Sequence, residues 1–334
     1  MGLFKPNTKK MMEQRDIPGL INALLDRRED VVEAALNAIT RLVNETDLSD
    51  QILDAIRAQL NNTNSDIRGQ MAFRLRDVTK KTNNSYFLEN IQSALVKSLD
   101  DPDFHVCAYA ARSLVQFGRS SYEALNLGLL KAAAAVQLHP FTPLTYDSDP
   151  RIKFVKALGD LGVDEAVPSL LVTIKFQDDL PSVTFAYGYG KGLYMDAVTD
   201  AIGKIGTTAV EKLVYYFKNP SSDSERQCSA IALRKIGDQK ALEALMGALT
   251  NENETTRMYA AEQLGKLGNR CAVEPLILAL QDKDWLVRCN AARALGDLCD
   301  VKAIGPLQAA LQDPDEIVRK NSGDALSKLT ASQH

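Results

Sequence analysis

At 334 residues the chain exceeds what one ordinary core serves, so it holds either two domains or one extended repeat array. Apolar residues make up 45% but aromatics only 6%, with a single tryptophan; burial then rests on Ala, Leu, Ile and Val, which suits helix packing and excludes long disorder. The 39 basic and 43 acidic residues are interspersed, and a net charge of −4 offers no field to gather nucleic acid or an anionic membrane.

In chain order, residues 1–16 read as a polar lead-in. They lack a signal-peptide apolar stretch, and Pro6 stands where an N-myristoylation motif beginning at Gly2 needs Ser or Thr. No apolar run approaches the roughly 20 residues of a membrane span, so a soluble, cytoplasmic protein without membrane insertion is expected. From residue 17 a repeat takes over. Its anchors are Val32, Arg68, Cys107, Arg151, Met195, Arg226, Arg257, Arg288 and Arg319, the last five spaced by 31 residues and the earlier ones by 36, 39, 44 and 44. After each anchor, apolar residues at +4, +7 and +10 form one stripe of a helix, here named helix B. Glycine at +11 closes it in five units, at Gly118, Gly162, Gly206, Gly237 and Gly268. Before the anchor lies a second apolar-periodic segment, helix A, such as Ala272–Leu280 or Ala303–Leu311, with proline suited to its first turn. One pair cannot bury its own stripe, so neighbours must stack. The predicted fold is all-α: a single α-solenoid of about nine antiparallel helix pairs over 17–330, followed by a tail at 331–334.

Two long insertions fall between helix A and helix B of consecutive units, at 138–150 and 178–194. Turns of that kind lie on one rim, which would gather Phe141, Tyr146, Phe185, Tyr187, Tyr189 and Tyr194 into one aromatic surface feature. The smaller insertions near 43–51 and 79–86 are polar and read as spacers on the opposite rim. Beside the aromatic rim, exposed positions of helix B carry Tyr109, Arg112, Lys153 and Lys156, with Phe73 one unit earlier; Met258, Tyr259, Asn290 and Arg293 follow farther along. A basic and aromatic groove suits an acidic peptide or anionic group.

Six anchors are arginine, usually with aspartate two, four or six residues earlier, such as Asp66, Asp149, Asp284 and Asp315. Stacked units can share these as a buried structural ladder rather than a site. Metal chemistry has little to work with, since the only histidines are His105, His139 and His334, and no His/Cys/Asp cluster has ligand spacing. The run Gly188-Tyr-Gly190-Lys-Gly192 lacks a preceding strand and does not match a phosphate-binding loop, so no cofactor is expected. Five scattered cysteines without a C-x-x-C pair suit reduced thiols.

The segment Asp282-Lys-Asp-Trp-Leu-Val-Arg288-Cys-Asn-Ala-Ala-Arg-Ala-Leu-Gly-Asp-Leu298 resembles the short HEAT-like repeat of the phycobilisome-lyase type, and the opening Met-Gly-Leu-Phe-Lys-Pro-Asn is similar to the start of prokaryotic members. The resemblance covers roughly 17–330 and implies the solenoid fold, with helix B on the concave face. For function it implies several roles, because such repeats serve scaffolds, adaptors, chromophore lyases and enzymes alike. The paired His-Glu motifs by which HEAT-type di-iron hydroxylases bind metal are missing here. The expected function is therefore a non-enzymatic scaffold binding a protein or peptide, not nucleic acid, through Tyr109, Arg112, Lys153, Lys156 and the aromatic rim. The alternative is a bilin lyase or isomerase subunit similar to the HEAT-type phycobiliprotein lyases.

Overall fold

The computed structural model describes residues 6–45, 47–138, 149–178 and 191–331. Among them are nineteen α-helices and no strand. The chain divides into two compact units, one running to Leu161 and the other from Gly162. The first opens with a short helix that the lead-in had not suggested, α1 (Thr8–Glu13). Four A–B pairs follow: α2 (Ile17–Ala23) with α3 (Glu29–Glu45), α4 (Ser49–Leu60) with α5 (Ser65–Lys81), α6 (Ser85–Ser98) with α7 (Phe104–Leu114), and α8 (Tyr122–Leu138) with α9 (Ile152–Leu161). The second holds five pairs: α10 (Ala166–Asp178) with α11 (Lys191–Ile205), α12 (Val210–Lys218) with α13 (Asp223–Ile236), α14 (Gln239–Ala248) with α15 (Glu254–Leu267), α16 (Val273–Ala279) with α17 (Trp285–Leu298), and α18 (Ile304–Ala310) with α19 (Glu316–Ala331). Within each unit a B helix packs on its own A helix and on the B helix of the next pair, as α5 does on α7 and α17 on α19. The result is an all-α solenoid.

Most pairs repeat one local code around their anchor. Four residues before it, a short polar side chain caps helix B: Asn64 accepts from the Asp66 N–H, Asp103 from His105, Ser222 from Glu225, Asn253 from Thr256 and Asp284 from Leu286. One residue before the anchor the side chain is buried, as at Val31, Val106, Val287 and Val318. The +7 leucines Leu233, Leu264 and Leu295 are fully enclosed. The five glycines at +11 all adopt positive φ, between 60° and 78°, which stops the helix in the left-handed conformation that glycine takes without penalty.

The anchor arginines join neighbouring pairs. Arg257 Nη1 donates to the carbonyls of Asn251 and Glu252 at 2.8 and 2.9 Å, which aims its Nε and Nη2 at both oxygens of Asp282 in the next pair, at 2.7 and 2.8 Å. Arg288 repeats this on Asp313 at 2.7 and 2.9 Å, and Arg68 on Asp101 at the same distances. The receiving aspartate always stands six residues before its own anchor, where its Oδ1 also takes the N–H two residues on. Arg151 differs, forking back to its neighbour Asp149 at 3.0 and 2.7 Å in a wholly buried pair. Where the anchor is cysteine, the Cys107 thiol donates to the Asp101 carbonyl at 3.0 Å, the backbone position that arginine takes elsewhere.

Candidate functional site

The B helices of the first compact unit bring together a row of aromatic and cationic side chains. On α5 and α7, Phe73 and Tyr109 meet edge to face with centroids 5.5 Å apart. The Tyr109 ring lies so close to Gly69 that a Cβ there would sit 3.3 Å from it, so the glycine makes room for the ring. Arg74 places its guanidinium 5.8 Å from the Phe73 centroid while pairing with Glu29 at 3.3 Å. On α9, Lys153 holds its ammonium 5.0 Å from the Phe104 centroid and 5.1 Å from that of Phe154. Arg112 and Lys156 are exposed, and Tyr109 keeps 37% of its surface. Beneath them the Cys107 thiol is pushed up by burial, with the Lys153 charge pulling the other way.

Four of the residues expected at the site, Tyr109, Arg112, Lys153 and Lys156, thus lie on α7 and α9, presented by helix B as the repeat frame requires. Phe104 and Phe154, the two rings around Lys153, were not foreseen as part of the site. Phe154 is buried at +3 of its unit and reads as ordinary core until the lysine beside it is placed. Phe141, Tyr146, Phe185, Tyr187 and Tyr189 lie outside the described residues.

Tyr194 requires a correction. It sits in α11, fully buried, its hydroxyl 2.8 Å from Thr173 Oγ1 on α10, so it belongs to the core of its pair and not to a partner-binding rim. The reason is its place in the frame: it precedes the anchor Met195 by one, the position occupied by buried valine in four other units.

On the second compact unit the corresponding face is neutralised from within. Tyr259 donates to Asp223 at 3.1 Å, and burial together with that carboxylate pushes its hydroxyl up. Arg293 bonds Asn290 and approaches Glu262 at 3.8 Å, Lys235 pairs with Asp200 at 2.6 Å, and Lys328 with Asp297 at 2.6 Å. Among the described residues no group of three or more His, Cys, Asp or Glu is placed to hold a metal ion, and no helix is long and apolar enough to cross a membrane.

Repeated capped pairs, an arginine ladder and a cationic aromatic B-helix face define a HEAT-like α-solenoid. Residues 247–327 match the family model of HEAT repeats. No curated protein matches the sequence. Among solved structures, human deoxyhypusine hydroxylase in complex with glycerol is similar over 97% of this chain and 99% of its own, with 19% identity and a TM-score of 0.36. Kap121p bound to Ste12p is similar over 95% of this chain, which spans 37% of Kap121p, with 12% identity and a TM-score of 0.51. At such identities the likeness concerns the fold alone. The expectation that the chain is not an enzyme is corrected on this point: a solved structure similar over 97% of this chain is that of an enzyme.

Proposed function

We propose that the chain is an interaction scaffold whose B-helix face in the first compact unit holds an acidic segment of a protein partner. The observation that carries this reading is the row of Phe73, Tyr109, Arg112, Lys153 and Lys156. Rigid rings with exposed cations between them recognise carboxylates beside apolar or aromatic side chains. Arg112 forms no ion pair among the described residues, whereas the cations of the second unit's face are largely paired internally. Kap121p, of the same fold, is bound to Ste12p, which supports a protein occupant. The Asp282–Leu298 pattern supports assigning the repeats to the phycobilisome-lyase type, and five free thiols fit a cytoplasmic location.

The test is selection of twelve-residue peptides from a random library on the immobilised full chain. Enriched peptides should combine Asp or Glu with an aromatic residue. The double variant Arg112→Glu, Lys153→Glu should bind them about tenfold more weakly, mainly through slower and less salt-dependent association, with helicity unchanged. Tyr109→Ala should cost about 1–2 kcal/mol of binding, as aromatic anchors do. Equal affinity for the parent chain and the charge-reversed variant overturns the reading.

A further inference from the structure

The A helices of the first compact unit enclose a cavity that the B-helix face does not share. Helices α4 and α6 pack side by side, and between their C-terminal halves lies a partly open space of about 180 Å³. At about 30 Å³ for each water it has room for roughly six, which suits a ligand smaller than a drug molecule. Leu60 and Ala94 supply an apolar wall, and the rest of the lining is polar.

That polar lining is rich in donors. Arg57 and Lys97 stand in the last turns of α4 and α6 and bring two positive charges. Asp54 and Asn90 hold the Arg57 guanidinium, through Nη1 at 3.0 Å and Nη2 at 2.7 Å, so Asp54 offsets part of its charge. Lys97 has no counter-charge among the described residues. Asp101 also lines the space, but Arg68 takes both its oxygens at 2.7 and 2.9 Å, and its Oδ1 accepts the Asp103 N–H as well. Asn61 and Ser93 are exposed, and among the described residues their side chains, like the Lys97 ammonium, have no hydrogen-bond partner. The cavity therefore offers unfilled donors and a carboxylate already neutralised.

Helix packing alone does not call for these cations. At the frame place of Arg57 the seventh and eighth pairs carry Met246 and Ile277, and at that of Lys97 the eighth and ninth carry Leu278 and Ala309. Those A helices end without a cation there, so the helix dipole is not the reason for one.

We propose that this cavity binds a small phosphate ester, its phosphoryl oxygens accepting from Lys97, Ser93 and Asn61 in the field of Arg57 and its carbon part lying on Leu60 and Ala94. A tetrahedral group with three terminal oxygens matches separate donors carried by two helices. A planar carboxylate instead suits a guanidinium fork, and both Nη atoms of Arg57 are already committed. The site uses A helices and is independent of the B-helix face proposed above.

The test is calorimetric titration of the full chain at low salt with inorganic phosphate and with glycerol phosphate. Glycerol phosphate should bind the more tightly of the two. Lys97→Gln should weaken it about tenfold, through loss of a charge-assisted hydrogen bond, and Ser93→Ala about threefold. Lys80→Gln, which removes an exposed lysine of α5 outside the cavity, should leave affinity unchanged, and all three variants should keep their helicity. Absence of binding to the parent chain, binding indifferent to Lys97→Gln, an equal loss with Lys80→Gln, or equal affinity for succinate each overturns the proposal. Binding lost with Lys153→Glu but kept with Lys97→Gln places the anion on the B-helix face and overturns it too. A phosphoserine peptide retained where glycerol phosphate is not makes the occupant a protein, with the same consequence.

Discussion

Asn251 stands in the seventh pair where Asp282 and Asp313 stand in the eighth and ninth, and the difference is felt by Arg226. Its Nη1 bonds Asn253 Oδ1 at 2.9 Å, but its buried Nε meets no acceptor among the described residues. Asn251→Asp restores a two-oxygen acceptor at that place and should stabilise the fold by about 1 kcal/mol, the net worth of a hydrogen bond after its desolvation. The reverse change, Asp282→Asn, leaves Arg257, whose side chain is 6% exposed, without a counter-charge and should cost about 3 kcal/mol. Urea midpoints at unchanged m-value check both. The same carboxylates set the response to acid. The Arg68 and Arg288 forks hold Asp101 and Asp313 below the usual carboxylate range; for Asp282 burial pushes upward, but Arg257 and the Asp284 N–H outweigh it. Carboxylates depressed in the folded state stabilise fully above their ordinary pKa, near 4, and lose that contribution as pH falls through the depressed values. The urea midpoint should therefore drop below about pH 4, and less steeply in Asp313→Asn.

Between elements, the tightest packing is of B helix on B helix. A Cβ at Gly265 would stand 2.7 Å from Ala294 Cα, and one at Gly296 2.8 Å from Ala325 Cα, so backbone rests almost directly on backbone. Two effects compete in Gly296→Ala: alanine favours helix by about 1 kcal/mol, while overpacking against a backbone that cannot move aside costs about 1–3 kcal/mol. Overpacking wins because the obstructing atoms belong to α19 itself, so Gly296→Ala should lower the thermal midpoint, whereas alanine at Gly247, which has open space around it, should not. Capping is the complementary control. At the start of α13 Ser222 Oγ accepts from the Glu225 N–H while Glu225 Oε2 accepts from the Ser221 N–H, and Ser222→Ala should cost about 1 kcal/mol.

For the whole molecule, stability should be local. In a stack where each pair touches only its neighbours, the total approximates a sum of pair and interface contributions. Leu295, fully enclosed on α17, should cost about 2–5 kcal/mol when replaced by alanine. Hydrogen exchange should then rise in α15 to α19 and stay unchanged in α1 to α9; a uniform rise over both compact units would contradict the picture.

How far the sequence reaches differs by kind of feature. The 31-residue register, the helix pairs, the glycine stops and the capping residues were legible because they are short-range: apolar spacing follows the helical turn, and caps and positive φ are properties of adjacent residues. So were the positions of Tyr109, Arg112, Lys153 and Lys156 on helix B. Tyr194 was misread because an aromatic beside an insertion looks like loop, although the position before the anchor is buried in most units. What only the tertiary structure decided is which groups meet across pairs. Aspartates two, four and six residues before an anchor look alike in the chain, but the stacking offset sends the arginine of one pair to the sixth of the next and leaves the fourth as a cap, while Arg151 turns to the second within its own turn. The rings around Lys153 depend on that same offset, which is fixed by helix-on-helix packing and written in no single repeat.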